Sequence, residues 1–96
     1  MTYSVNPDHH YQRAQHLRWR REVENVTLYD TKTREMKTLN PVAALIWELL
    51  DGFTPVRNVI ETVRTEFSAS ADKVNDDIIN FLKELLEVGY ITQKND

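Results

Sequence analysis

The order of periodicities along the chain predicts an α+β fold. Three short stretches with period-two patterning come first, and three apolar runs with helical period follow. Between the two sets stands Asn40-Pro41. Asparagine is a favoured helix N-cap and proline suits the first helical position, so the junction ends a strand and starts a helix. At 96 residues the chain is long enough for one modest core and too short for two.

Residues 1–16, with Asn6-Pro7-Asp8 and the adjacent His9 and His10, keep no period of either kind and are expected to be an irregular N-terminal arm. The domain proper is expected over 17–92. Leu17, Trp19 and Val23 fall on odd positions, with Arg18, Arg20 and Glu22 between them, as in a half-buried strand; Arg21 interrupts that face. Val26 and Leu28 alternate with Thr27 and Tyr29 in a second strand. Asp30-Thr31-Lys32-Thr33 is a polar turn without the glycine typical of tight hairpins. Arg34 to Leu39 makes the third strand, and Lys37 is the kind of charge that suits a sheet edge.

Val42, Leu45, Ile46 and Leu49 recur at helical spacing after the junction, and Gly52 is placed to end that helix. Thr54-Pro55 is expected to cap a second helix carrying Val56, Val59, Ile60, Val63 and Phe67, which breaks at Ser68-Ala69-Ser70. A third helix runs to about Val88, and Gly89 leads into a short extended tail, Tyr90-Ile91-Thr92. On that helix Val74, Ile78, Leu82 and Leu85 form one line, flanked by Phe81 and Val88 on one side and by Ile79 and Leu86 on the other. The apolar arc covers roughly half the circumference, against about 100° for an ordinary core-facing stripe. Either the domain buries both flanks, or Phe81, with Asp77 and Glu84 beside it, lines a groove for a partner. A three-stranded sheet also has edges, and an exposed edge can accept a strand from a peptide.

Composition narrows the chemistry. Without cysteine there is no disulfide, thiolate nucleophile or thiolate metal site. The first twenty residues lack the apolar core of a signal peptide, and no run has the length of a membrane span, so a cytoplasmic location is expected. Residues 1–50 hold seven Lys/Arg against six Asp/Glu, and 51–96 hold five against nine. His9, His10 and His16 have no acidic or thiolate companions at metal-ligand spacing, so no metal and no cofactor are expected. No nucleophile and base pair or phosphate-cradling glycine loop can be read, so the chain is not expected to be an enzyme. Trp47 and Trp19 are expected in the core. Arg13, Arg18, Arg20 and Arg21 form the basic cluster, expected as a solvated strand face or as a docking patch for an acidic partner.

The junction MKTLNPVAALIWELLDG, the helix TPVRNVIETVRTEF and the ending DDIINFLKELLEVGYI together resemble PqqD, the peptide chaperone of pyrroloquinoline quinone biosynthesis. They equally resemble the wider set of leader-peptide recognition domains in ribosomally made peptide pathways, including the small lasso-peptide proteins. The resemblance covers about Leu17 to Ile91. It implies a winged-helix-like fold, with a three-stranded antiparallel sheet packed on three helices, and a precursor's leader peptide docking as an added strand between the third strand and the third helix. It implies binding residues Glu35, Met36, Lys37, Thr38 and Leu39 on the strand and Asp77, Phe81 and Glu84 on the helix. It also implies delivery to a modifying enzyme, such as a radical SAM enzyme or a leader peptidase or cyclase. Met36 and Thr38 stand where many relatives carry aromatic residues.

Two rivals differ in kind. In a winged-helix DNA binder the third helix would enter the major groove, but its five acids against two lysines would be repelled by the phosphates. In a homodimerising module the wide third helix would face a second copy, and a charge at Phe81 would dissociate the oligomer.

Overall fold

The computed structural model describes residues 4–68 and 70–94, with Ala71 described by its backbone alone. Of the expected interhelical break, Ala69 lies outside the described residues, as do the first three residues of the expected arm. The elements run β1 (His10–Arg13), β2 (Leu17–Arg21), β3 (Val26–Asp30), β4 (Met36–Leu39), α1 (Pro41–Leu49), β5 (Asp51–Pro55), α2 (Val56–Phe67), α3 (Ala71–Glu87) and β6 (Ile91–Lys94). The class is α+β, with three helices as expected. The expected single sheet is two antiparallel three-stranded sheets, ordered β5-β1-β6 and β2-β3-β4.

The first sheet corrects the reading of the N-terminal segment, because β1 is its central strand rather than part of an irregular arm. β1 pairs with β6 from His10↔Lys94 to Arg13↔Ile91, and with β5 through His10↔Pro55 and Gln12↔Asp51. Tyr11 is buried on this strand. Arg13 donates from Nη1 to the carbonyls of Trp47 and Glu48, at 2.8 and 2.9 Å, and so brings a charged donor to the end of α1, where the Trp47 carbonyl also accepts from the Leu50 amide at 3.2 Å. Its guanidinium also lies 5.0 Å from the centre of the Trp19 ring.

That ring corrects a second expectation. Trp19 pairs with Leu28 on the inner face, but β2 is an edge strand and leaves the indole 39% exposed. Val23 lies beyond β2 in the following hairpin and is 96% exposed. β3, by contrast, is central, and its alternation holds: Val26, Leu28 and Asp30 are buried, with Thr27 and Tyr29 between them half-buried.

Asn40 caps α1 as expected, accepting from the Ala43 amide at 2.9 Å, with Pro41 opening the helix. α1 stops at Leu49, three residues before Gly52, because the chain there turns into β5. In that turn the Asp51 carboxylate accepts from the Phe53 and Thr54 amides, and Gly52 takes φ 86°, which glycine adopts without steric cost. The N-cap of α2 is Pro55, with no side-chain cap; the Thr54 hydroxyl donates to Asp51 instead.

One core joins both sheets to the helices. Leu17, Val26, Leu28 and Leu39 enter it from one sheet, Tyr11 and Ile91 from the other. Trp47, Val59, Val63, Ile78, Leu82 and Leu85 enter from the helices. No helix among the described residues is long and apolar enough to cross a membrane.

Candidate functional site

β4 is an edge strand, and the hairpin before it determines which of its main-chain groups are free. Asp30 accepts through its carboxylate from the Lys32 and Thr33 amides, at 2.9 and 3.2 Å, in an Asx-type turn. Arg34 has φ 67° and occupies the left-handed place where a glycine is usual, with its N–H donated to the Asp30 carbonyl. The Asp30 N–H then donates to the Glu35 carbonyl at 2.9 Å. From that closing pair the register runs Tyr29↔Met36, Leu28↔Lys37, Thr27↔Thr38 and Val26↔Leu39. Antiparallel ladders alternate hydrogen-bonded and non-hydrogen-bonded pairs. Glu35, Lys37 and Leu39 therefore turn their main chain toward β3, while Met36 and Thr38 turn N–H and C=O outward.

Beside that edge lies a groove of about 580 Å³ whose far wall is the C-terminal half of α3. Glu35, Met36 and Lys37 line the strand side, and Phe81, Glu84, Leu85, Glu87 and Val88 the helix side. Tyr90 forms part of the wall just beyond the helix. Helical spacing explains the far wall, since Phe81, Glu84, Leu85 and Val88 stand at i, i+3, i+4 and i+7. The inner line of the same helix, Ile78, Leu82 and Leu85, is buried in the core.

Beyond Phe81 a second, more apolar groove of about 430 Å³ opens between α1, α2 and the N-terminal half of α3. Val42, Ala43 and Ile46 line it from α1, Val63 and Phe67 from α2, and Val74, Asp77 and Ile78 from α3. Phe81 belongs to both grooves.

Of the residues implied for peptide binding, the structure brings Glu35, Met36, Lys37, Phe81 and Glu84 together in one groove. Asp77 lies past Phe81 in the second groove, where it pairs with Lys73 at 3.4 Å. Thr38 is exposed on the free edge, and Leu39 is buried at 3% exposure with its main chain turned inward. Leu85, Glu87, Val88 and Tyr90 are not among the residues the resemblance implies, although the spacing from Phe81 and Glu84 points to the first three.

Tyr90 ties the groove to the rest of the fold. Its carbonyl accepts from the Ala14 amide at 2.9 Å, and its side chain hydrogen-bonds to the Asp30 carboxylate. Burial, that bond and the charges of Asp30 and Glu35 push its phenol above the ordinary value. Burial works to raise the Asp30 carboxyl, but the bonds from the Lys32 and Thr33 amides and from Tyr90 outweigh it and hold that group below its ordinary value. Among the described residues no cluster of three or more His, Asp or Glu could hold a metal ion.

The family model for coenzyme PQQ synthesis protein D (PqqD) matches residues 25–91. The solved structure of TbiB1 in complex with the TbiA(beta) leader peptide is similar to this chain, with a TM-score of 0.77 and 20% sequence identity. The match covers 88% of this chain and 99% of that one, and at this identity the likeness is one of fold. No curated protein matches the chain.

Proposed function

Because the chain belongs to the PqqD family, we propose that it is a non-catalytic adaptor that binds the leader of a ribosomally made precursor peptide and presents it to a modifying enzyme. One observation carries the reading: the outer edge of β4, with the N–H and C=O groups of Met36 and Thr38 turned outward, borders the groove walled by α3. An extended peptide laid there gains main-chain hydrogen bonds from the edge, and its alternate side chains enter the groove. The TbiB1 structure, which contains a leader peptide, supports that occupant. The enzyme served would be a radical SAM protein or a leader peptidase or cyclase. The adaptor acts by raising the local concentration of peptide at that enzyme, so modest affinity suffices.

The test is an amide NMR titration of the labelled protein with a synthetic leader encoded by the small open reading frame beside its gene. Saturable shifts at residues 35–39 and along 81–90 are expected. A well-dispersed spectrum that does not move with any such leader would overturn the reading. Shifts that depend on protein concentration alone would instead favour self-association.

A further inference from the structure

The groove beside β4 is charged in one direction. Glu35, Glu84 and Glu87 face it with Lys37 as the one cation in its lining. Among the described residues none of the three carboxylates is in an ion pair; within α3 the pair is Lys73–Asp77, at the other end of the helix. Negative charge is thus neutralised beside the second groove and left open beside β4.

Stability alone does not account for that placement. Glu84 and Glu87 lie at the C-terminal end of α3, whose last turn holds no basic residue. Carboxylates there oppose the negative end of the helix dipole, where lysine or arginine is favoured. A local preference set aside beside an open groove is the kind of inconsistency that functional sites carry.

Resting on the peptide-binding reading above, we propose that this groove selects an extended peptide segment bearing a lysine or arginine that sits among Glu35, Glu84 and Glu87. The same strand running past Phe81 would reach the far end of the apolar groove at Val74. From Glu84 that is about ten helical residues, or about 15 Å of helix axis, and corresponds to about four or five residues of extended chain. The preferred ligand therefore carries a basic residue separated from a large apolar one by that interval.

Selection from a displayed library of random ten-residue peptides on the full chain tests the proposal. Its comparison arms are a Glu84→Lys/Glu87→Lys variant and a Glu24→Lys/Glu66→Lys control with the same net charge. The wild-type protein and the control are expected to enrich Lys/Arg with an apolar partner about four or five positions away, and the groove variant to enrich Asp/Glu. In a selected peptide, Lys→Gln should weaken binding about three- to tenfold, and less as salt is raised. The groove variant should melt no lower than the wild type, because its lysines align with the dipole. Binders without excess Lys/Arg, or a control that loses the preference along with the groove variant, would overturn the charge selectivity and leave peptide capture standing. No enrichment by any of the three proteins would overturn both.

Discussion

Proline at two neighbouring positions of β4 should have opposite effects. At Thr38 the N–H points away from β3, so proline removes no ladder bond, and edge strands tolerate it when the lost donor faces solvent. The fold should survive. A docked peptide strand, however, would lose one hydrogen bond, worth roughly 0.5–1.5 kcal/mol net, and would meet the pyrrolidine ring where a donor stood. A loss of roughly 1–2 kcal/mol, about five- to thirtyfold in Kd, is expected. At Lys37 the N–H points inward to Leu28, which is 2% exposed. Proline there strands a buried carbonyl, at a cost of roughly 1–3 kcal/mol. For a domain of this size that lowers Tm by about 4–8 °C for each kcal/mol. Thermal melts followed by circular dichroism, with titration of a fluorescent leader peptide, separate the two effects. If Thr38→Pro stays folded and binds peptide as the wild type does, strand addition at this edge is wrong. If Lys37→Pro melts normally while Thr38→Pro unfolds, the alternation inferred from the register is wrong.

Three further outcomes follow from the packing and the charges. Leu82→Ala, at a fully buried position of α3, should cost about 2–5 kcal/mol in urea unfolding, whereas Val88→Ala at the C-cap of that helix, 61% exposed, should change little. Arg13→Gln should destabilise by roughly 1–2 kcal/mol, since two carbonyls at the end of α1 lose a charged donor; Arg13→Lys should restore only part of this in thermal melts, lacking the planar fork. Asp30 and Asp51 both have carboxyls held below the ordinary value of 3.8, by hydrogen bonds that outweigh burial. Their stabilising effect is therefore complete above about pH 4 and is lost as pH falls through the lowered values. Acid unfolding monitored by tryptophan fluorescence should be less steep in Asp30→Asn and Asp51→Asn than in the wild type.

The elements legible in the sequence are those whose own residues carry the pattern. β3 alternates because both neighbours in its sheet are close in sequence and one of its faces meets the core. α1 was readable from Asn40 and Pro41 as much as from its apolar spacing. β1 was not readable: of His10-Tyr11-Gln12-Arg13 only Tyr11 is buried, and the strand exists because β5 and β6, both distant in sequence, supply its partners. β5 was hidden for a related reason. Asp51-Gly52 and Thr54-Pro55 carry turn and cap signals that hold locally, yet the stretch between them is also extended and paired. Of the residues the resemblance implied, Glu35, Met36, Lys37, Phe81 and Glu84 lie in the groove, whereas Leu39 is buried and Asp77 lies one groove away because it precedes Phe81 by four residues, a full helical turn. The turn that follows Phe81 supplies the remainder of the wall.

The N-terminal strand also bears on the site, although it lies outside the matched family region. β1 holds β6 along four paired positions. Immediately before β6, Tyr90 is fixed through its carbonyl by Ala14 and through its side chain by Asp30. Asp30 in turn organises the hairpin that presents β4, by accepting the Lys32 and Thr33 amides. His16 joins the same cluster, with Nε2 3.7 Å from Asp30 and its ring edge-on to Tyr90. The free edge and the helix wall of the groove are thus positioned from opposite ends of the chain, and they meet at one carboxylate. The segment that least resembled a structural element in sequence is in this way a support of the candidate site.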